Sequence, residues 1–323
     1  MNVRLAAISA SFAAFLATMA AGADFYPNKP VRFIIPVPAG AGADFTGRTY
    51  AQRLSVAFGQ QVIVDNRGGA GGIIAMETVA KAPPDGYTLV QATVGTVCIM
   101  PFMYAKLPYD SLRDYEPVSL SSLNPLLLVV HPSLPARTLK ELVAYGKANP
   151  ERISYASVGS GSVQHLAGFV FAKEAGIAAI HVPYKGAAPA TVDLLAGQVN
   201  VAFSGVGTVV GHIKAGRLRV LAITSASRVQ AFPDVPTMKE AGGPDVEMSL
   251  WNGILLPART PRAVVMRLNA EIVKASHSPE LNAAMATQAT LPASNSPEEF
   301  AAMIRKDQNR YAKIVMDSGA RAD

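Results

Sequence analysis

Short apolar runs alternate along this chain with stretches whose apolar positions recur at helical spacing. Val31, Phe33, Ile34, Ile35 and Val37 read as a buried strand. After Asp44, the residues Phe45, Tyr50, Ala51, Leu54, Ala57 and Phe58 recur as one face of a helix. The small residues Pro38 to Ala43 join the two as a tight turn. Gln61 to Val64 reads as a second strand, and the glycine-rich turn Asp65–Gly72 enters a helix that runs to about Lys81. Pro83-Pro84-Asp85-Gly86 is a turn, and Tyr87 to Thr93 a third strand ending near Gly95. The spacing therefore predicts a βαβαβ unit whose strands present their carboxyl ends on one edge.

The stretch from Pro101 to Pro117 is punctuated by prolines and reads as irregular, with a strand at Leu126 to Val130. Thr138-x-x-Glu141 is a capping box for a helix that stops at Asn149-Pro150. A second alternating set follows. Its strands are expected at 153–156, 180–182, 199–203 and 218–224. The helix after the Ser157–Ser162 turn carries Leu166, Phe169, Val170 and Phe171, with Gly176 as its C-cap. A helix starts at Pro189 and another ends at Gly216. Trp251 to Leu256 reads as a last strand. Three helices then open at Thr260-Pro261, Ser278-Pro279 and the capping box Ser296-x-x-Glu299, the last ending at Gly319.

With no strand left to alternate with, those helices are expected to pack back on the first unit. The expected architecture is α/β with two lobes. Lobe I is discontinuous (24–126 and 229–323), and lobe II spans 127–228. A ligand would lie in the cleft between them, faced by strand-to-helix turns.

The N-terminus changes this picture only by removal. Arg4 precedes an apolar run from Leu5 to Ala20, and Ala21-Gly22-Ala23 offers a small-residue cleavage site before Asp24. Residues 1–23 thus read as a cleaved signal peptide, and the chain as an exported periplasmic protein. The single cysteine, Cys98, is too far from that site for a lipid anchor and cannot form an internal disulfide. The net charge is +6; Arg4 is the only charged residue of the leader, so its removal leaves +5. The basic residues form no run, which argues against nucleic acid as a partner.

Candidate chemistry centres on the strand-to-helix turns, where free backbone N–H groups and a helix N-terminus favour a carboxylate or phosphate. A P-loop is excluded, because Ala43-Asp44 follows Gly42 where Lys-Ser/Thr is required. The dinucleotide fingerprint fails at Phe45. No serine lies in a Gly-x-Ser-x-Gly elbow, and the five histidines show no metal spacing. The residues therefore offer no cofactor, metal or catalytic motif, and the turns read either as an anion-binding site or as tight structural turns. An exported hydrolase using His165 with a nearby serine is the alternative they leave open.

Ala39-Gly40 with Asp44 and Arg48, Asp65-Asn66-Arg67 with Gly69-Ala70-Gly71-Gly72, and Pro84-Asp85-Gly86-Tyr87-Thr88-Leu89 follow one another in a recognisable order. So do Leu107-Pro108-Tyr109-Asp110, His181-Val182-Pro183-Tyr184-Lys185-Gly186, Pro233-Asp234-Val235-Pro236-Thr237, and Trp251-x-Gly253 with Pro257-Ala258. In this series the chain resembles the Bug family, the extracytoplasmic solute receptors of tripartite tricarboxylate transporters. The resemblance implies a type II periplasmic binding protein fold and reversible capture of a small carboxylate by backbone groups, hydroxyls and water. It implies delivery to membrane permease subunits by a monomer; a receptor feeding a sensor kinase is a second possibility.

The expected ligand contacts are Ala39, Gly40, Ala41 and Asp44 from the opening turn, and Thr93 and Val94 from the strand end. Ser157, Ser160, Ser162 and His165 would form the opposite jaw. Asp44 reads equally as the N-cap of its helix and His165 as a structural histidine. Arg48 and Arg67 are expected to face solvent or pair locally, and Lys185 to lie on a surface turn. Ser204 stands where many relatives carry an acid that could meet a ligand ammonium, so plain carboxylates are expected over amino acids.

Overall fold

The computed structural model describes residues 26–229, 231–244 and 246–322, so the leader expected at 1–23 lies outside them. The chain opens with β1 (Val31–Ile35), α1 (Gly42–Phe58), β2 (Val62–Asn66), α2 (Ile73–Ala80) and β3 (Thr88–Thr93). The strands are parallel in the order β2-β1-β3, with Phe33 beside Val64 on one side and Leu89 on the other. The apolar stripe read from the sequence lands in part: Tyr50, Ala51 and Leu54 of α1 are buried against Phe33 and Ile35, Phe45 and Phe58 are half-buried, and Ala57, at the end of the helix, is exposed. Gly59, in the left-handed region at φ 64°, ends that helix.

A π turn over Gly95–Ile99 and the single-turn α3 (Met100–Met103) lead to β4 (Tyr115–Val130). The second set comprises α4 (Leu139–Ala148), β5 (Ile153–Ser157), α5 (Val163–Ala175), β6 (Ala179–Pro183), α6 (Ala187–Leu195), β7 (Val201–Gly205), α7 (Val206–Lys214) and β8 (Arg219–Ile223). The chain closes with β9 (Ser249–Pro257), α8 (Arg262–Ser276), α9 (Pro279–Ala286) and α10 (Pro297–Ser318).

β4 corrects the sequence reading. Sixteen residues long, it begins within the stretch read as irregular. Its first half, Tyr115 to Pro125, runs antiparallel to β9 with register shifts between Pro117 and Ser119 and between Leu120 and Ser122. Prolines and buried serines at those shifts erase the alternation that marks an ordinary strand. From Leu126 onward the same strand pairs with β7 and β8 instead. It therefore leaves a β2-β1-β3-β9-β4 sheet at Pro125 and enters a second one, β4-β7-β5-β6 with β8 on its other edge.

Helices cover both faces of both sheets. α1, α8 and α9 enclose one core with Phe33, Ile254, Leu268 and Leu281, and α6 and α7 enclose another with Leu127 and Leu194. The largest cluster runs under both sheets, and α10 contributes Phe300, Ile304, Tyr311 and Val315 to it. The C-terminal helices thus return to the first unit, as the exhausted supply of strands required. Lys173 of α5 meets Asp317 of α10 at 2.7 Å, an ion pair joining the two halves. Among the described residues no helix is long and apolar enough to cross a membrane.

Candidate functional site

A cavity of about 380 Å³ lies where the two sheets meet. The start of α1 (Gly42, Ala43, Thr46) and the end of β3 (Thr93, Val94, Gly95) wall it from one side. Val158, Ser162, Val163 and Gln164 wall it from the other, and Asn124, Leu250, Trp251 and Asn252 form the floor where β4 and β9 cross. The described residues lining it include hydroxyls, amides and apolar groups but no charged side chain. A narrower recess of about 20 Å³, which shares Val158 and Gln164, holds Ser157, Ser204, Thr191 and Thr208.

The opening turn differs in detail from its sequence reading. Asp44 is not the N-cap of α1; Ala41 is, and it supplies no side-chain acceptor. Asp44 lies a turn further in, 3% exposed, and its carboxylate reaches back to accept from the Gly40 N–H at 2.8 Å. It also accepts from Asn66 Nδ2 (2.8 Å) and Arg48 Nε (3.0 Å). Burial opposes its charge, but Arg48, the Gly40 N–H and Asn66 outweigh that effect and hold the carboxyl below its usual range. Asp44 therefore fastens the turn from behind. Among the described residues no side chain caps the start of α1, and Gly42 and Ala43, which carry first-turn amides, are on the cavity wall.

The opposite wall is built around the start of α5. Ser162 is the N-cap: its Oγ accepts from the His165 N–H (3.2 Å) and donates to the Gly159 carbonyl (2.7 Å). His165 Nδ1 accepts from the Gly161 N–H at 3.1 Å, which assigns its proton to Nε2. The ring stacks on His181 with centroids 3.8 Å apart, and Tyr155 stacks 5.0 Å from His181. His181 Nε2 lies 2.7 Å from Ser157 Oγ. Burial, reinforced by His181, pushes the His165 pKa down to about 4, and burial lowers that of His181 as well. Two neutral imidazoles thus hold the 157–162 turn in place. The hydrolase alternative named His165 as the base, but its Nδ1 is taken by the Gly161 amide, and the serine contact belongs to His181.

Of the residues expected from sequence, Thr93, Val94 and Ser162 come together on the cavity. Asp44 and His165 stand directly behind its walls, and Ser157 and Ser204 line the adjoining recess. Ala39, Gly40 and Ser160 are exposed on the outer turns, and Ala41 is half-buried. Arg48 pairs with Asp44 and Arg67 with Asp65, while Lys185 is exposed. Sequence reasoning did not single out Gly42, Ala43, Gln164, Asn124, Asn252 or Thr290. The first two follow from the true position of the cap. Asn124 and Asn252 lie on neighbouring strands, where Asn252 Nδ2 donates to Ser122 Oγ at 2.8 Å. Trp251 is buried at the crossing, its Nε1 donating to Asp307 Oδ2 at 2.8 Å.

The family described as "Tripartite tricarboxylate transporter family receptor" matches residues 46–320. The protein BugT of Bordetella pertussis is 37% identical over 300 residues, which cover 93% of this chain and 92% of that protein. Among solved structures, Rpa4515 of R. palustris with adipate superposes with a TM-score of 0.79 at 31% identity, covering 92% of this chain and 99% of the other. MatC of Rhodopseudomonas palustris with bound malate superposes with a TM-score of 0.73 at 27% identity, covering 90% and 100%. The fold is accordingly the two-lobed fold of periplasmic binding proteins.

Proposed function

The chain belongs to the tripartite tricarboxylate transporter receptor family, and from that membership we propose that it captures one small organic carboxylate between its lobes. The observation that carries the reading is the uncharged cavity walled by the starts of α1 and α5, one from each half. Two helix N-termini supply the positive potential that a lysine or arginine would otherwise provide. A ligand touching both walls favours the closed form, because only there does it gain the contacts of both. We divide the lobes at residues 126/127 and 228/229, in keeping with the passage of β4 from one sheet to the other beside Pro125. The leader at 1–23 would send the protein to the periplasm as a monomer, where it hands its ligand to the permease of the transporter.

The ligands of the two neighbouring structures, adipate and malate, are the first candidates. The protein from Asp24 onward would be screened by thermal shift against adipate, malate, succinate and aspartate, with the diamides of the first two alongside. At a concentration 100-fold above Kd, binding stabilises by about 2.7 kcal/mol, which raises Tm by about 4 °C in a chain of this size. At least one acid is expected to give that shift and its diamide none. Aspartate is expected to shift less than malate, because Ser204 offers its ammonium no carboxylate. A screen in which no acid moves Tm would remove the receptor reading.

A further inference from the structure

Gln91 is a fully buried amide at the centre of β3, on the face that α1 covers. Its neighbours are apolar, among them Phe33, Ile35 and Leu89. Its Nε2 donates to the Ala43 carbonyl at 2.9 Å, and its Oε1 has no hydrogen-bond partner among the described residues. A buried acceptor left unpaired destabilises a fold, and a leucine or methionine of similar volume would fill the same space without that penalty. Gly47 makes the arrangement possible. A Cβ there would lie 2.8 Å from Gln91 Oε1 and 2.4 Å from Ile35 Cδ1, so a larger residue would force the Gln91 or Ile35 side chain to move.

What the amide gains is connection. Ala43 is one of the two residues whose first-turn amides lie on the cavity wall, and β3 ends two residues after Gln91 in Thr93, on the same wall. The carbonyl of Ala43 already accepts within the helix, so the Gln91 bond is an additional tie from the strand to the helix start. We propose that Gln91 is a positioning residue: it locks the first turn of α1 to the end of β3 and thereby aims the Gly42 and Ala43 amides into the cavity. The proposal rests on the receptor reading for its consequence in binding, but the geometric claim is testable without a ligand.

The test uses the Gln91→Met and Gln91→Leu variants, which remove both the Nε2 tie and the orphan oxygen. Hydrogen exchange at the Phe45, Thr46 and Gly47 amides, which close the first turn, is expected to quicken tenfold or more. Tm is expected to stay unchanged or to rise. If the wild type binds adipate or malate, Kd for that acid is expected to rise at least tenfold in both variants. Unchanged exchange at these three amides would overturn the proposal, whatever the acids do. So would a Tm several degrees lower in both variants, or their failure to fold, since Gln91 would then be a packing residue. A wild type that binds neither acid, with the local exchange effect intact, would count against the receptor reading and leave the positioning role standing.

Discussion

Replacing Ala43 by aspartate should weaken carboxylate binding about 100-fold without weakening the fold. Ala43 is half-buried on the cavity wall, at the second helical position of α1. An acid in a first turn complements the helix dipole, so the substitution is expected to leave stability unchanged or to add about 0.5 kcal/mol. The same carboxylate would face the incoming ligand across a few ångströms. At about 5 Å and an effective dielectric near 20, the repulsion is about 3 kcal/mol, a loss of affinity of about 100-fold. Its oxygens would also occupy the first-turn amides from within. Calorimetric titration and thermal melting of the Ala43→Asp variant read the two effects separately. Affinity within threefold of the wild type would mean that the start of α1 takes no part in the site.

Acid should destabilise the protein through His165, in a defined window. The folded chain holds this imidazole neutral down to about pH 4, whereas in the unfolded chain it titrates near 6.5. Between those values the unfolded state binds more protons, so stability falls as pH falls and recovers as pH rises. Above 6.5 both states are neutral and the residue contributes no slope. The shift corresponds to about 2 kcal/mol after allowance for partial contact with water, or about 3 °C in Tm. Protonation also turns Nδ1 from acceptor to donor against the Gly161 N–H, so ligand affinity should decline only as the folded chain takes up this proton, near pH 4. The His165→Asn variant retains an acceptor for Gly161 and cannot titrate. Its stability should therefore change less than that of the wild type from pH 6.5 to 4. Parallel profiles for the two proteins would show that His165 does not govern the acid response.

The strand-and-helix alternation was legible because it rests on burial, which writes a period into the residues. The caps at Ser278 and Ser296 were legible for a different reason: a serine three residues before an orphan N–H has one local use, and both are found in it. The first half of β4 was not. Its buried positions include Ser119, Ser121 and Ser122, and Ser119 bonds Asn295, 176 residues away, while Ser122 bonds Asn252. The helix that the sequence starts at Pro189 begins at Ala187, because proline is tolerated anywhere in a first turn. Asp44 was read as a cap from its residue type, but small residues ahead of it allow the helix to begin earlier and turn the carboxylate backward.

The cavity was legible only in part, for a related reason. Turns at strand ends advertise themselves by glycine and serine, so Thr93, Val94 and Ser162 could be placed from sequence. The floor comes from Asn124, Trp251 and Asn252, which meet only because β4 and β9 cross between the sheets. Nothing within several residues of Asn124 records that Asn252 will be its neighbour.

The most direct test of the account is a calorimetric titration of the protein from Asp24 onward with adipate and malate and, in parallel, with their diamides. Recognition by helix starts and uncharged donors predicts saturable binding of at least one acid at one per chain, with a negative heat-capacity change from the apolar walls and no binding of the matching diamide. Equal binding of acid and diamide, or heats from neither acid, would contradict it.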